Sequence, residues 1–142
     1  MMCTINRILL VDDEATFRQT LRRHLKREGF ELETAADGEA ACREISRAAE
    51  RSHPFDLVIT DVLMPEMDGI QLLTWIKECY PGISVIVLTG FGDGDSVSRA
   101  VRPAIDGFGA KPITPGIMMA LIARIDRHRA RKRSVFTEDR AL

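Results

Sequence analysis

Carboxylates, a hydroxyl and an ammonium group stand in this chain where they could handle a phosphoryl group. Asp12, Asp13 and Glu14 follow an apolar run, Asp61 follows a second, Thr89 a third, and Lys111 precedes a proline. Clustered carboxylates repel and raise one another's pKa values unless a cation sits among them. A hard divalent ion with oxygen ligands resolves that conflict, and Mg²⁺ is the default because it needs few carboxylates and keeps its waters. Lys111 adds a point charge and Thr89 a hydroxyl donor, which together suit a phosphoryl group. The acceptor would be a carboxylate, which can form an acyl phosphate, and Asp61 is the candidate. Singly, each residue has a plainer role: an aspartate after a strand is often a turn former or helix cap, and a lone lysine a surface charge. The chemistry requires elements that bring four distant chain segments to one place.

Those elements are legible in the hydrophobic pattern. Ile8 to Val11 is a short apolar run and reads as a buried strand. Phe17, Leu21 and Leu25 follow at helical spacing, and Gly29 ends that helix. Phe30 to Ala35 alternates as a second strand, followed by a helical stripe of Ala41, Ile45 and Ala48 or Ala49. Phe55 to Thr60 reads as the third strand, and Asp68 caps a helix carrying Ile70, Leu73 and Ile76. Ile83 to Leu88 is the fourth strand, followed by a helix near 95–102 that Pro103 stops. Gly107 to Ala110 is a short fifth strand. Thr114-Pro115 starts the last helix, whose expected buried face is Ile117, Leu121, Ile122 and Ile125.

Five strand–helix units predict an α/β fold: a flavodoxin-like, doubly wound, five-stranded parallel sheet of order 2-1-3-4-5 in three α/β/α layers. A barrel would need eight units. In such a sheet the crevice lies beyond the carboxyl ends of the strands, where strands one and three are neighbours. Asp12, Asp13 and Asp61 therefore converge, with Thr89 and Lys111 on the same rim.

Composition excludes other classes. The 142 residues suit one domain, and 45% hydrophobic with 29% charged residues can bury a core. Twenty Lys and Arg balance 21 Asp and Glu, for a net charge of -1, so a generally basic nucleic-acid surface is absent. From Arg124 onward the charge is +4, leaving -5 on the preceding body. The run Arg127 to Arg133 reads as the solvated end of the last helix, and direct nucleic-acid binding is not expected. Cys3, Cys42 and Cys79 match no zinc or disulfide pattern, which suits a reducing, cytoplasmic compartment. The longest apolar run, Ile117 to Ala123, is too short to span a membrane. No P-loop is present, and Asp12-Asp13 stands where a dinucleotide fingerprint would place glycines.

Over roughly Asn6 to Arg133 the sequence resembles the receiver domains of two-component response regulators, the CheY-like family. The resemblance is carried by Ile8–Glu14, Asp56–Asp61, Met64–Gly69, Leu88-Thr89-Gly90 and Ala110-Lys111-Pro112. It implies that a sensor histidine kinase or phosphotransfer protein donates a phosphoryl group to Asp61. It further implies that Asp12, Asp13, Asp61 and the backbone carbonyl of Leu63 hold Mg²⁺, and that Lys111 contacts the phosphoryl group before a cis proline bond. Thr89 then moves toward the phosphoryl group and the aromatic Phe108 turns inward. The face of the fourth helix, fifth strand and last helix would signal to an effector protein or to an effector domain outside this sequence. Phosphorylation-dependent homodimers of this face are a further implication, with Asp106 meeting Arg124 across the interface. The only catalysis implied is phosphorylation and dephosphorylation of the domain's own aspartate.

Two alternatives share these features: a phosphorylation-independent interaction module of the same fold, and an aspartyl-phosphate phosphohydrolase. The intact acidic set argues against the first. Against the second, Asp61 is followed by Val62-Leu63 rather than by a second aspartate in Asp-x-Asp spacing. The domain is expected over 6–126, with 127–142 a basic helical extension or linker. The separation of Asp13 from Asp61 is longer than the family pattern, with the surplus between Cys42 and Pro54. The resemblance also implies that the side chains of Leu63 and Phe91 flank the path of hydrolytic water, to which neither can donate and from which neither can accept.

Overall fold

The computed structural model describes residues 4–64, 67–90 and 101–141, with side chains of the last helix described to residue 132. Five parallel strands form one sheet in the order β2-β1-β3-β4-β5. They are β1 (Arg7–Val11), β2 (Glu31–Ala35), β3 (Leu57–Asp61), β4 (Ser84–Thr89) and β5 (Gly107–Ala110). The helices are α1 (Ala15–Arg27), α2 (Gly38–Glu50), α3 (Gly69–Cys79) and α4 (Pro115–Ala141), with a 3-10 turn at Arg102–Ala104.

Side-chain alternation in the strands builds the three layers. Leu9, Val11, Val58, Val85 and Val87 point to one side and pack with Ala41 and Ile45 of α2 and Leu72, Leu73 and Ile76 of α3. Ile8, Leu10, Leu57, Ile59, Ile86 and Leu88 point to the other and pack with Leu21 and Leu25 of α1 and Met118, Ile122 and Ile125 of α4. Strands buried on both faces read as unbroken apolar runs, and β3 and β4 are buried at every position. The edge strands β2 and β5 are partly exposed.

Local chemistry sets the helix ends. Gly29 follows α1 with φ +100°, a conformation that costs a Cβ-bearing residue more. Asp37 caps α2 by accepting from Ala40 N–H at 2.8 Å. Asp68 caps α3 through Ile70 and Gln71 N–H, while the Gln71 side chain returns a bond to Asp68 N–H, a complete capping box.

The structure moves several expected positions. Phe55 and Ile83 are buried but lie before their strands, where the chain enters the sheet. Ile117 is 54% exposed, and Met118 fills the place expected of it on the core face of α4. The helix enters the sheet rotated by about one residue relative to the apolar stripe, which Ile117-Met118-Met119 leaves ambiguous. Pro103 lies inside the 3-10 turn Arg102–Ala104. Most of the expected fourth helix, 95–100, lies outside the described residues. The surplus between Cys42 and Pro54 is taken up by α2 and a turn in which Ser52 has φ 58°.

The base of the sheet is closed by polar groups at the amino ends of the strands. Asp126 Oδ1 accepts from Thr4 N–H at 2.6 Å, Thr4 Oγ1 at 2.8 Å and Ile5 N–H at 2.9 Å. Arg129, expected to be solvated, reaches across this end instead. It donates to Gly82 O at 2.8 Å, Ser84 Oγ at 2.9 Å and Asp56 O at 3.2 Å. α4 runs on as one helix to Ala141.

Candidate functional site

At the opposite end of the sheet the carboxyl termini of β1, β3, β4 and β5 converge. β1 and β3 are hydrogen-bonded neighbours in the register Val11↔Thr60. That register places Asp12 beside Asp61, one residue beyond each partner. Ligand oxygens of Asp12, Asp13 and Asp61 all lie within 4.8 Å of one another. Asp12 is fully buried, Asp61 nearly so and Asp13 exposed. The cluster therefore grades from protein interior to solvent, as an entry path for an ion requires.

Lys111 is the counter-charge. Its Nζ donates to Asp12 Oδ2 at 2.6 Å and to Asp61 Oδ2 at 2.9 Å. Burial opposes the charge of its ammonium group, but the hydrogen bonds and charges of the two carboxylates outweigh that penalty, and the Lys111 pKa lies above its ordinary value. Lys111 is held from its backbone as well, with its N–H donating to Thr89 O at 2.7 Å and a cis bond leading into Pro112. Phe17 of α1 lies beneath the ammonium, 4.4 Å from Nζ to the ring centroid.

The remaining groups frame the carboxylates. Asp61 Oδ1 accepts from Leu63 N–H at 3.3 Å, which turns the chain so that Leu63 sits at the mouth, 57% exposed. Asp12 Oδ1 accepts from Glu14 N–H at 2.8 Å, and Arg18 donates to the Asp12 carbonyl at 2.6 Å. Thr89 is buried at the end of β4. Phe108 is paired with Val87 in the β4–β5 register, so it shares a sheet face with Thr89 two residues on; its ring is 44% exposed.

Gly69 has a role that residue types alone did not reveal. A Cβ there would lie 2.1 Å from the Asp61 carbonyl oxygen, and Gly69 N–H donates to Val62 O at 2.9 Å. The start of α3 is thus pressed against the backbone that carries Asp61. Arg18 and Phe17 were likewise visible only as a charge and a core aromatic of α1. Phe91 lies outside the described residues.

The donor set fits Mg²⁺: three carboxylates of graded exposure with room for waters on the Asp13 side. Comparison with known proteins places the fold in a family. The family model of the response regulator receiver domain matches residues 8–123. The chain belongs to the response regulator receiver family. The response regulator protein FleR of Pseudomonas aeruginosa is 36% identical over 118 residues, 83% of this chain and 24% of that protein. The transcriptional regulatory protein SrrA of Staphylococcus aureus is 34% identical over 110 residues, 78% of this chain and 43% of that protein. This receiver thus spans less than half the length of those curated relatives. Among solved structures, a receiver domain protein from Clostridium thermocellum superposes with TM-score 0.78 at 31% identity, covering 89% of this chain and 98% of that one. A chain described as adenylate cyclase from Rhodopirellula baltica gives TM-score 0.83 at 27% identity, covering 97% and 99%. Among the described residues no helix is long and apolar enough to cross a membrane.

Proposed function

We propose that this receiver takes a phosphoryl group onto Asp61 from a sensor histidine kinase or phosphotransfer protein in the cytoplasm. The observation that carries the reading is Lys111 Nζ bridging Asp12 and Asp61 within the three-carboxylate cluster. An Asp61 carboxylate oxygen attacks phosphorus of a phosphohistidine; the P–N bond breaks as the P–O bond forms, and the imidazole nitrogen leaves to be protonated. Asp13, Asp61 and the Leu63 carbonyl would hold Mg²⁺, with Asp12 in its outer shell, and the ion would supply positive charge for the transferring oxygens. Binding near about millimolar fits so open a magnesium site. Lys111 releases part of its hold on the carboxylates to neutralise the phosphoryl group.

The switch follows from the shared face of Thr89 and Phe108. A phosphoryl group adds charge and acceptor oxygens, toward which the Thr89 hydroxyl moves. The space it leaves accepts the Phe108 ring, which has no hydroxyl to desolvate. This change alters the surface around β5 and α4 that an effector protein or domain reads, and on which two phosphorylated copies pair. Asp106 Oδ2 is engaged within the chain by Lys77 at 2.8 Å and Val85 N–H at 2.8 Å. Pairing through Asp106 and Arg124 would therefore have to share that carboxylate. Residues 6–126 form the receiver in this reading, and 127–142 the extension toward an output segment.

The test is intact mass after incubation with acetyl phosphate and Mg²⁺. The expected result is one added phosphoryl group, absent in Asp61→Asn and absent with chelator. Labelling that persists in Asp61→Asn contradicts the assignment. Output that is unchanged by phosphorylation would favour an interaction module that works without it.

A further inference from the structure

The end of the molecule remote from Asp61 holds a cleft of about 810 Å³ between α4 and the entries of β4 and β5. Such a volume lies in the range of small-molecule sites, roughly 300–1,000 Å³. Its α4 wall carries Arg124, Arg127, His128, Arg131 and Lys132. At 3.6 residues per turn these five fall within about 140° of arc, so they form one face. All five are exposed. Arg124, Arg127, Arg131 and Lys132 make no ion pair among the described residues. Among the described residues the only carboxylate lining the cleft is Asp106, already bound by Lys77 at 2.8 Å. Arg129, from the same stretch, is committed to the sheet base and fixes α4 against the cleft's other wall.

We propose that this cleft binds a small, multiply charged phosphate anion, of the class of an oligophosphate or the phosphate tail of a nucleotide. Unpaired guanidinium groups in a row offer forked donors to successive phosphate groups, and their mutual repulsion is relieved by the bound anion. The size of the cleft and the charge of -5 on the chain before Arg124 favour a compact ligand. The flanking phosphates of a long nucleic acid would run onto that acidic body.

The test is calorimetric titration of the full chain with sodium tripolyphosphate, without added Mg²⁺ and at fixed ionic strength. Saturable one-to-one binding is expected, weakened about tenfold or more in Arg124→Gln/Arg131→Gln. Asp61→Asn should bind as wild type does, which separates this site from the phosphoacceptor pocket. The single variant Arg127→Gln should weaken binding several-fold with its circular dichroism spectrum unchanged. Heat that never saturates, or equal affinity in the double variant, overturns the proposal. Affinity for single-stranded DNA that grows with strand length and exceeds that for tripolyphosphate would assign the face to nucleic acid and also overturn it.

Discussion

Lys111 is the residue on which the acidic site depends when no cation is bound. It bridges two buried carboxylates, so removing its charge leaves them facing one another in a region of low dielectric. Lys111→Met should therefore lower unfolding stability by about 3 kcal/mol, with Mg²⁺ restoring part of the loss, as read by urea denaturation with and without the ion. The pH dependence has a definite sign. The folded pKa of Lys111 is raised above its ordinary 10.5, so its stabilisation is complete below that value and fades as pH rises through the folded pKa. The stability gap between wild type and Lys111→Met should accordingly narrow only in strong alkali. Leu63 tests a different property. Its side chain stands exposed at the mouth and cannot orient water. Leu63→Asn should speed loss of the phosphoryl group by about tenfold, a barrier change of about 1.4 kcal/mol, followed by mass spectrometry after the donor is removed. Equal rates would show that this side chain does not govern water access.

At the level of elements, α3 and α4 make separable demands on their residues. The approach of Gly69 to the Asp61 carbonyl leaves no room for a methyl group. Gly69→Ala should push the amino end of α3 away from β3, costing about 2 kcal/mol and slowing phosphorylation, because Asp61 moves with its backbone. On α4, Met118→Ala should cost about 2–4 kcal/mol and Ile117→Ala less than about 0.5, since Met118 is fully buried and Ile117 is mostly exposed. Thermal melts of the two variants decide this. Arg129→Met should also destabilise, by about 1–3 kcal/mol, through the backbone carbonyls it leaves without their charged donor. Phosphorylation by acetyl phosphate should continue in that variant, because Arg129 acts at the other end of the sheet.

For the whole molecule, the two ends of the sheet carry opposite charge. The carboxyl ends of the strands gather Asp12, Asp13 and Asp61, while the amino ends meet the basic stretch of α4. Mg²⁺ should raise the unfolding free energy by about 1.4 kcal/mol at ten times its dissociation constant, and Asp13→Ala should abolish most of that gain. Calorimetric melts across a Mg²⁺ series measure it, and an unaltered response in Asp13→Ala would place the ion elsewhere.

The sequence by itself determined the layers, the strand order and the convergence of Asp12, Asp13, Asp61, Thr89 and Lys111. Each of these follows from local periodicity, or from the rule that a parallel sheet opens at its carboxyl ends. Only the tertiary structure decided the rotation of α4 that buries Met118 and exposes Ile117, because adjacent apolar residues leave a helix's facing undetermined until it is packed. It also decided that Arg129 closes the base of the sheet rather than facing solvent, and that Gly69 lies against Asp61. Those contacts join residues 8 to 125 positions apart in the chain, and no local pattern encodes a partner that only folding brings within reach.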